Sequence, residues 1–220
     1  MNILVIAPHA DDEILGVGAT IAKHIDKGEN VYVCIATRGI KPLFDEEYMN
    51  ILRDETKKAH SLLGIKETFF LEFPAVMLEQ VQRYELNGKL SDLVQKIKPD
   101  IVYIPHFGDM QRDHQIIAEA AMVAVRPKYE HIIKGVYAYE TLSETEWNIP
   151  HNTNVFIPNV YSDVSGYIDV KLEAMKCYES QLSEFPNPRS LKAIDALARY
   201  RGSTVNVKAA EAFVLIRGIT

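Results

Sequence analysis

Ile3-Leu4-Val5-Ile6-Ala7-Pro8-His9-Ala10-Asp11-Asp12-Glu13 passes from an apolar run straight into a histidine and three carboxylates. The apolar part, too short for a helix and rich in branched side chains, reads as a buried strand. The residues that follow, Ile14, Leu15, Ile21, Ala22 and Ile25, recur at helical spacing. A polar cluster thus sits where a strand ends and a helix begins, the edge at which open α/β sheets place their sites. Imidazole nitrogen and carboxylate oxygen together suit a borderline divalent metal. His9 and Asp12, two residues apart across the turn, can reach one ion, which leaves Asp11 free for proton transfer. The alternative is plain helix-start chemistry: aspartates there are favoured by capping and by the macrodipole, with His9 an ordinary loop residue.

The same strand-then-helix alternation continues outward. Strands are predicted at 2–7, 30–36, 67–72 and 100–105, and helices at 14–27, 46–63, 76–97 and 112–125. Short connections between alternating elements imply parallel strands joined by right-handed crossovers. Gly28 and Gly64 suit the ends of the first two helices. Beyond residue 130 the pattern loosens: strands are expected at 135–141 and 153–158, a helix over 165–182, a further helix over 189–200 and a closing strand at 212–216. No linker interrupts the chain, so the expected fold is a single α/β domain over residues 1–220. Its core would be a Rossmann-like, mostly parallel sheet flanked by helices.

The 220 residues, 47% hydrophobic and 25% charged, suit one soluble domain with a sizeable core. A net charge of -6 argues against nucleic acid as a partner. Cys34 and Cys177 are too few for a disulfide framework or a cysteine zinc site. No apolar run is long enough to span a membrane, and no leader-like segment precedes the first strand. The expectation is a cytoplasmic protein. Its tyrosines, Tyr129 among them, are scattered without a stacking ladder and are assigned to core or rim.

A second polar cluster weighs against the plain helix-start reading of the first. Ile101-Val102-Tyr103-Ile104-Pro105 is followed by His106, Asp109, Gln111, Arg112, Asp113 and His114. Parallel strands end on the same side of a sheet, so the first and fourth can deliver His9, Asp12 and His114 to one point. Two histidines and one carboxylate leave a fourth position open, the catalytic pattern of metal ligation. Asp109 and Asp113 are candidates for the carboxylates that hold a ligand histidine by its other ring nitrogen. Asp113 equally suits a helix cap.

Taken together these segments resemble the zinc-dependent N-deacetylases of the LmbE/PIG-L family. Pro8-His9-Ala10-Asp11-Asp12-Glu13 is similar to the family's first signature, and Gly108-Asp109 through Asp113-His114 to its second. Arg53, Glu55, Ala59 and Leu63-Gly64 resemble its early helix. Asp163-Val164-Ser165, Lys171, Ala174 and Ser180-Gln181 resemble its late helix, and Arg201-Gly202 and Ala210-Glu211-Ala212-Phe213 its ending. The resemblance implies Zn2+, or another divalent metal, on His9, Asp12 and His114, with Asp11 as base. It implies hydrolysis of the N-acetyl group of a small amino-sugar conjugate, of the N-acetylglucosamine type, and a homo-oligomeric state.

One position departs from that pattern. Three residues before the second metal histidine the family carries a histidine that stabilises the oxyanion; here it is Gln111. Gln111 can donate a hydrogen bond but cannot act as an acid. Three solutions stand open: Gln111 as donor with Asp11 in both proton roles, His106 as substitute, or a different scissile bond. Arg38, just past the second strand, and Arg53 are candidate substrate contacts, Arg53 competing with a surface ion pair to Asp54 or Glu55. Trp147 reads as a packing anchor or subunit contact before it reads as a sugar platform. His24, His60, His131 and His151 are assigned to structure or surface. Competing functions are an amidase for a larger N-acyl group and a non-catalytic sugar- or nucleotide-binding module. Against the latter, the first turn lacks Gly-x-Gly-x-x-Gly, Gly16 and Gly18 falling inside the helix.

Overall fold

The computed structural model describes residues 1–128 and 130–220; Tyr129 lies outside the described residues. Strands β1 (Asn2–Ala7), β2 (Asn30–Arg38), β3 (Glu67–Pro74), β4 (Ile101–Pro105), β5 (Gly135–Tyr139), β6 (Val160–Asp163) and β7 (Ala210–Gly218) form one sheet in the order β3-β2-β1-β4-β5-β7-β6. The pairs from β3 through β5 are parallel, and β7 runs antiparallel to both β5 and β6. Helices α1 (Asp12–Asp26), α2 (Glu46–Leu63), α3 (Arg83–Ile97), α4 (Arg112–Ala124), α5 (Ile168–Lys176) and α6 (Leu191–Ser203) flank it.

The two-residue period of β1 splits the core. Leu4 and Ile6 join a cluster with Leu90 and Val94 of α3 and Ile117 and Ala121 of α4. Ile3, Val5 and Ala7 point the other way, against Ile14, Val17 and Ile21 of α1, Ala59 and Leu63 of α2 and Met175 of α5. Residues 3–7 are wholly inaccessible, as a parallel strand covered on both faces should be. Full burial of each aliphatic side chain contributes roughly 1.5–3 kcal/mol. Gly16 serves packing: a Cβ there would collide with the Tyr139 ring, whose hydroxyl donates to the Ile6 carbonyl at 2.9 Å and so ties β5 to β1.

Two buried side chains reach the backbone of α1. The Lys171 ammonium of α5 donates to the Leu15 carbonyl at 2.7 Å and to Glu211 of β7 at 2.6 Å. Glu211 in turn accepts the Ala19 and Thr20 N–H groups at 3.0 and 2.7 Å. Ala19 and Leu15 stand four residues apart in the helix, so the buried ion pair reaches both members of one backbone pair from outside.

Most sequence expectations hold, and α2 keeps its predicted bounds. Three differ. Segment 153–158 is not a strand; pairing starts only after Pro158, which has no N–H to donate, where Asn159 N–H reaches the Phe213 carbonyl at 3.0 Å. The helix expected over 76–97 divides into a 3-10 turn at Leu78–Gln80 and α3, because Val81 and Gln82 are extended. The helix expected over 165–182 begins at Ile168 and ends at Lys176. The chain then turns so that the Tyr178 hydroxyl reaches Glu13 at 2.6 Å and Ser180 reaches Glu55 through both its N–H and its hydroxyl, at 2.9 and 2.6 Å.

Candidate active site

Because β1 and β4 are parallel neighbours, the loops that leave them meet. The β1–α1 turn brings His9, Asp11 and Asp12; the β4–α4 turn brings Asp109, Gln111, Asp113 and His114. Of these, His9, Asp12 and His114 offer ligand atoms that all lie within 4.8 Å of one another. Asp12 Oδ2 stands 3.3 Å from His9 Nδ1 and 3.2 Å from His114 Nε2. The far side of each ring is already committed: His9 Nε2 to Asp113 Oδ2 at 3.1 Å, His114 Nδ1 to Asp109 Oδ2 at 2.9 Å. Those carboxylates fix which ring nitrogen faces inward, as the outer partners of metal-bound histidines do. Asp113 is therefore no cap: it holds His9 and accepts the Val76 N–H at 2.6 Å, while Gln111 occupies the cap position of α4. Asp109 is held by the Thr145 hydroxyl at 2.6 Å.

The donor set fits a divalent ion on an observation independent of spacing. Among the described residues, His114 Nε2 and Asp12 Oδ1 are buried without a hydrogen-bond partner, a costly condition. Charge behaviour agrees. Burial opposes ionisation of Asp12, but His114 and His9 outweigh it and hold the carboxyl well below its ordinary range. Burial likewise works against the charged form of His9, yet Asp113 and Asp12 raise it to about 9, and His114 is raised well above its usual value. An ion must displace these protons, so its affinity should climb with pH up to about 9. Calorimetry of zinc uptake at pH 7 in two buffers of different ionisation enthalpy should register proton release; identical heats would contradict the assignment.

Asp11 is almost wholly buried and sits at φ 103°, the left-handed region. Its N–H is caught by Glu13 Oε2 at 3.1 Å, and its carbonyl accepts the N–H groups of Ile14 and Leu15 at 3.0 and 2.9 Å. Glu13 is itself held by His60 at 3.1 Å as well as by Tyr178. The Asp11 carboxylate pairs with the Arg189 guanidinium. Burial outweighs that cation, and the carboxyl is pushed up to about 8.

These groups open on a cavity of about 330 Å³ whose polar end carries His9, Asp11, Gln111, Glu144 and Arg189. Glu144 accepts the Gln111 N–H at 3.1 Å, and burial pushes its carboxyl upward. The far wall is apolar, with Ile35, Phe44, Met49, Leu52 and Phe70. Arg38 and Arg53 line the cavity too, but each is already paired: Arg38 with Glu46, Arg53 with Glu72 while lying 3.7 Å over the Phe70 ring. Arg53 thus does not pair with Asp54 or Glu55 as the sequence allowed.

His106 is not brought to this cavity. Its Nε2 faces the Asn154 carbonyl at 3.0 Å and its ring packs edge-on to Phe156, which removes it as the substitute for the missing histidine. Trp147 does not line the cavity and is 53% exposed. Arg189 and Glu144 escaped the sequence reading; both sit in irregular segments, where no periodicity or motif singles them out.

Residues 4–125 match the family model described as PIG-L, GlcNAc-PI de-N-acetylase. The diacetylchitobiose deacetylase of Thermococcus kodakarensis is 27% identical over 99% of this chain and 84% of its own length. A probable N-acetyl-alpha-D-glucosaminyl L-malate deacetylase of Bacillus anthracis is 26% identical over 83% of this chain and 82% of its own. Among solved structures, the conserved protein TT1542 of Thermus thermophilus superposes with a TM-score of 0.81 at 27% identity, covering 99% of this chain and 96% of that one.

Proposed function

The chain belongs to the PIG-L family, and from that premise we propose that it is a zinc-dependent hydrolase that removes the N-acetyl group from an N-acetylglucosamine-type conjugate, releasing amine and acetate. The convergence of His9, Asp12 and His114, with His9 and the neighbouring Asp11 lining one cavity, carries the reading. Relatives that act on a diacetylchitobiose and on a glucosaminyl malate support the substrate class.

The residues divide the work. A divalent ion held by His9, Asp12 and His114, with a coordination position open, would polarise the amide carbonyl and lower the pKa of a water to about 7. Asp11 accepts a proton from the attacking water and returns it to the departing nitrogen, so the C–N bond breaks as the C–O bond completes. Gln111 offers its side-chain amide as a hydrogen-bond donor to the oxygen that gains charge. Asp109 and Asp113 keep the two imidazoles turned inward. Arg38 and Arg53, on the cavity wall, contact the rest of the substrate.

The apolar wall supports a second reading for the acyl side, an N-acyl chain longer than acetyl. One assay covers both. Primary-amine release is followed on N-acetyl, N-butanoyl and N-octanoyl glucosaminides with zinc-loaded, chelated and reloaded protein. Release is expected only with metal, with N-acetyl the best substrate. Release that survives chelation, or none from any substrate, overturns the proposal. No helix of the described residues is long and apolar enough to cross a membrane, and two unpaired cysteines suit a reducing compartment such as the cytoplasm.

A further inference from the structure

Resting on that reading, we propose that Arg189 is the positioning residue of the reaction: its guanidinium holds one oxygen of Asp11 so that the other faces the substrate.

Arg189 is held from both sides before it meets Asp11. Its own N–H donates to Asn187 Oδ1 at 2.8 Å, and its carbonyl accepts the Ser183 N–H at 3.2 Å. The next residue, Ser190, caps α6 by accepting the Ala193 N–H at 3.2 Å, so the backbone at 189 is set by the start of a helix. Further out, Nε donates to the Ser143 hydroxyl at 2.8 Å, while NH1 reaches Asp11 Oδ2. Ser143 is itself fixed in the left-handed region by its N–H to Glu146 at 2.6 Å. Two anchored segments therefore set the guanidinium plane so that NH1 meets a single carboxylate oxygen, with Gln181 Oε1 3.5 Å from the same nitrogen. No described residue hydrogen-bonds Asp11 Oδ1, and Asp11 lines the cavity.

The charge inventory of the cavity points the same way. Arg38 and Arg53 are neutralised by Glu46 and Glu72. Gln111 is uncharged where the family has a histidine. Arg189 is thus the arginine whose charge is directed at the proposed proton acceptor. A planar guanidinium whose Nε is tied to Ser143 has its remaining N–H directions fixed, and with them the place of the Asp11 oxygen that NH1 holds. Misplacing a reacting group by about 1 Å can cost roughly 100-fold in rate.

The decisive experiment is a double-mutant cycle on zinc-loaded protein, with kcat, KM, zinc stoichiometry and thermal midpoint measured for R189Q, R189K, D11N and D11N/R189Q. R189Q should lower kcat about 100-fold, with KM changed less than about threefold and zinc unchanged. R189K, which keeps the charge but loses the planar guanidinium, should fall between. In the D11N background the R189Q change should cost almost nothing further, because residues that act through one another are not additive. Free guanidinium should restore part of the activity of R189A. Multiplicative losses, or a loss confined to KM or zinc content, overturn the role of Arg189. An undiminished D11N instead overturns the functional reading beneath it, so the two failures are distinguishable.

Discussion

Asp11→Asn lowers turnover by about 100- to 10,000-fold, the contribution of a positioned acid–base group, while zinc still binds at one per chain. Asparagine keeps the shape of aspartate and is among the few residues that tolerate the left-handed backbone found there. The turn that carries His9 and Asp12 therefore survives. What is lost is the capacity to take a proton. Alanine is the poorer probe, since an ordinary side chain in that conformation costs about 1–2 kcal/mol and would blur chemistry with folding. Steady-state kinetics on an N-acetylglucosaminide, with metal analysis of the same sample, decide the matter. Turnover within about threefold of the parent, or loss of zinc, would assign the carboxylate a different task.

The second large effect lies outside the active site. Lys171→Met should destabilise the protein by about 3–5 kcal/mol, the range for removing one partner of a buried ion pair. Lys171 and Glu211 are both buried, and the Leu15 carbonyl and the N–H groups of Ala19 and Thr20 depend on them. Methionine matches the lysine stem but leaves Glu211 with a charge and no cation. Replacing both, as in K171M/E211L, removes the uncompensated buried charge and should recover part of the loss. Urea titration of the three proteins gives the numbers; a change below about 1 kcal/mol for the single variant would mean that water replaces the ammonium.

The separation of what the sequence disclosed from what it withheld follows the range of the forces involved. Strands β1 to β4 and the helices between them announce themselves through local periodicity and through Gly64, which ends α2 in a left-handed conformation at φ 84°. The convergence of His9, Asp12 and His114 was legible because two local clusters each follow an apolar strand, and crossover handedness brings the ends of β1 and β4 together. The antiparallel direction of β7 has no such marker. Nor do the partners of Asp11 and of Gln111, since Arg189 and Glu144 meet them across 178 and 33 residues from irregular segments. Lys171 and Glu211 belong to stretches that resemble the family, yet nothing in their spacing reveals that they reach the backbone of α1. His106 looked like a catalytic histidine by residue type alone; only the Asn154 carbonyl, 48 residues away, explains its orientation.

The tie between β7 and α1 also bears on what a shortened chain can keep. The Glu211 carboxylate lies 192 and 191 residues from the Ala19 and Thr20 N–H groups that it accepts, on a strand that also pairs with β5 and β6. A chain cut before β7 would lose that carboxylate and leave Lys171 a buried cation without its counter-charge. The helix that starts at the candidate metal-ligand turn would then lose support at a point remote from the turn itself.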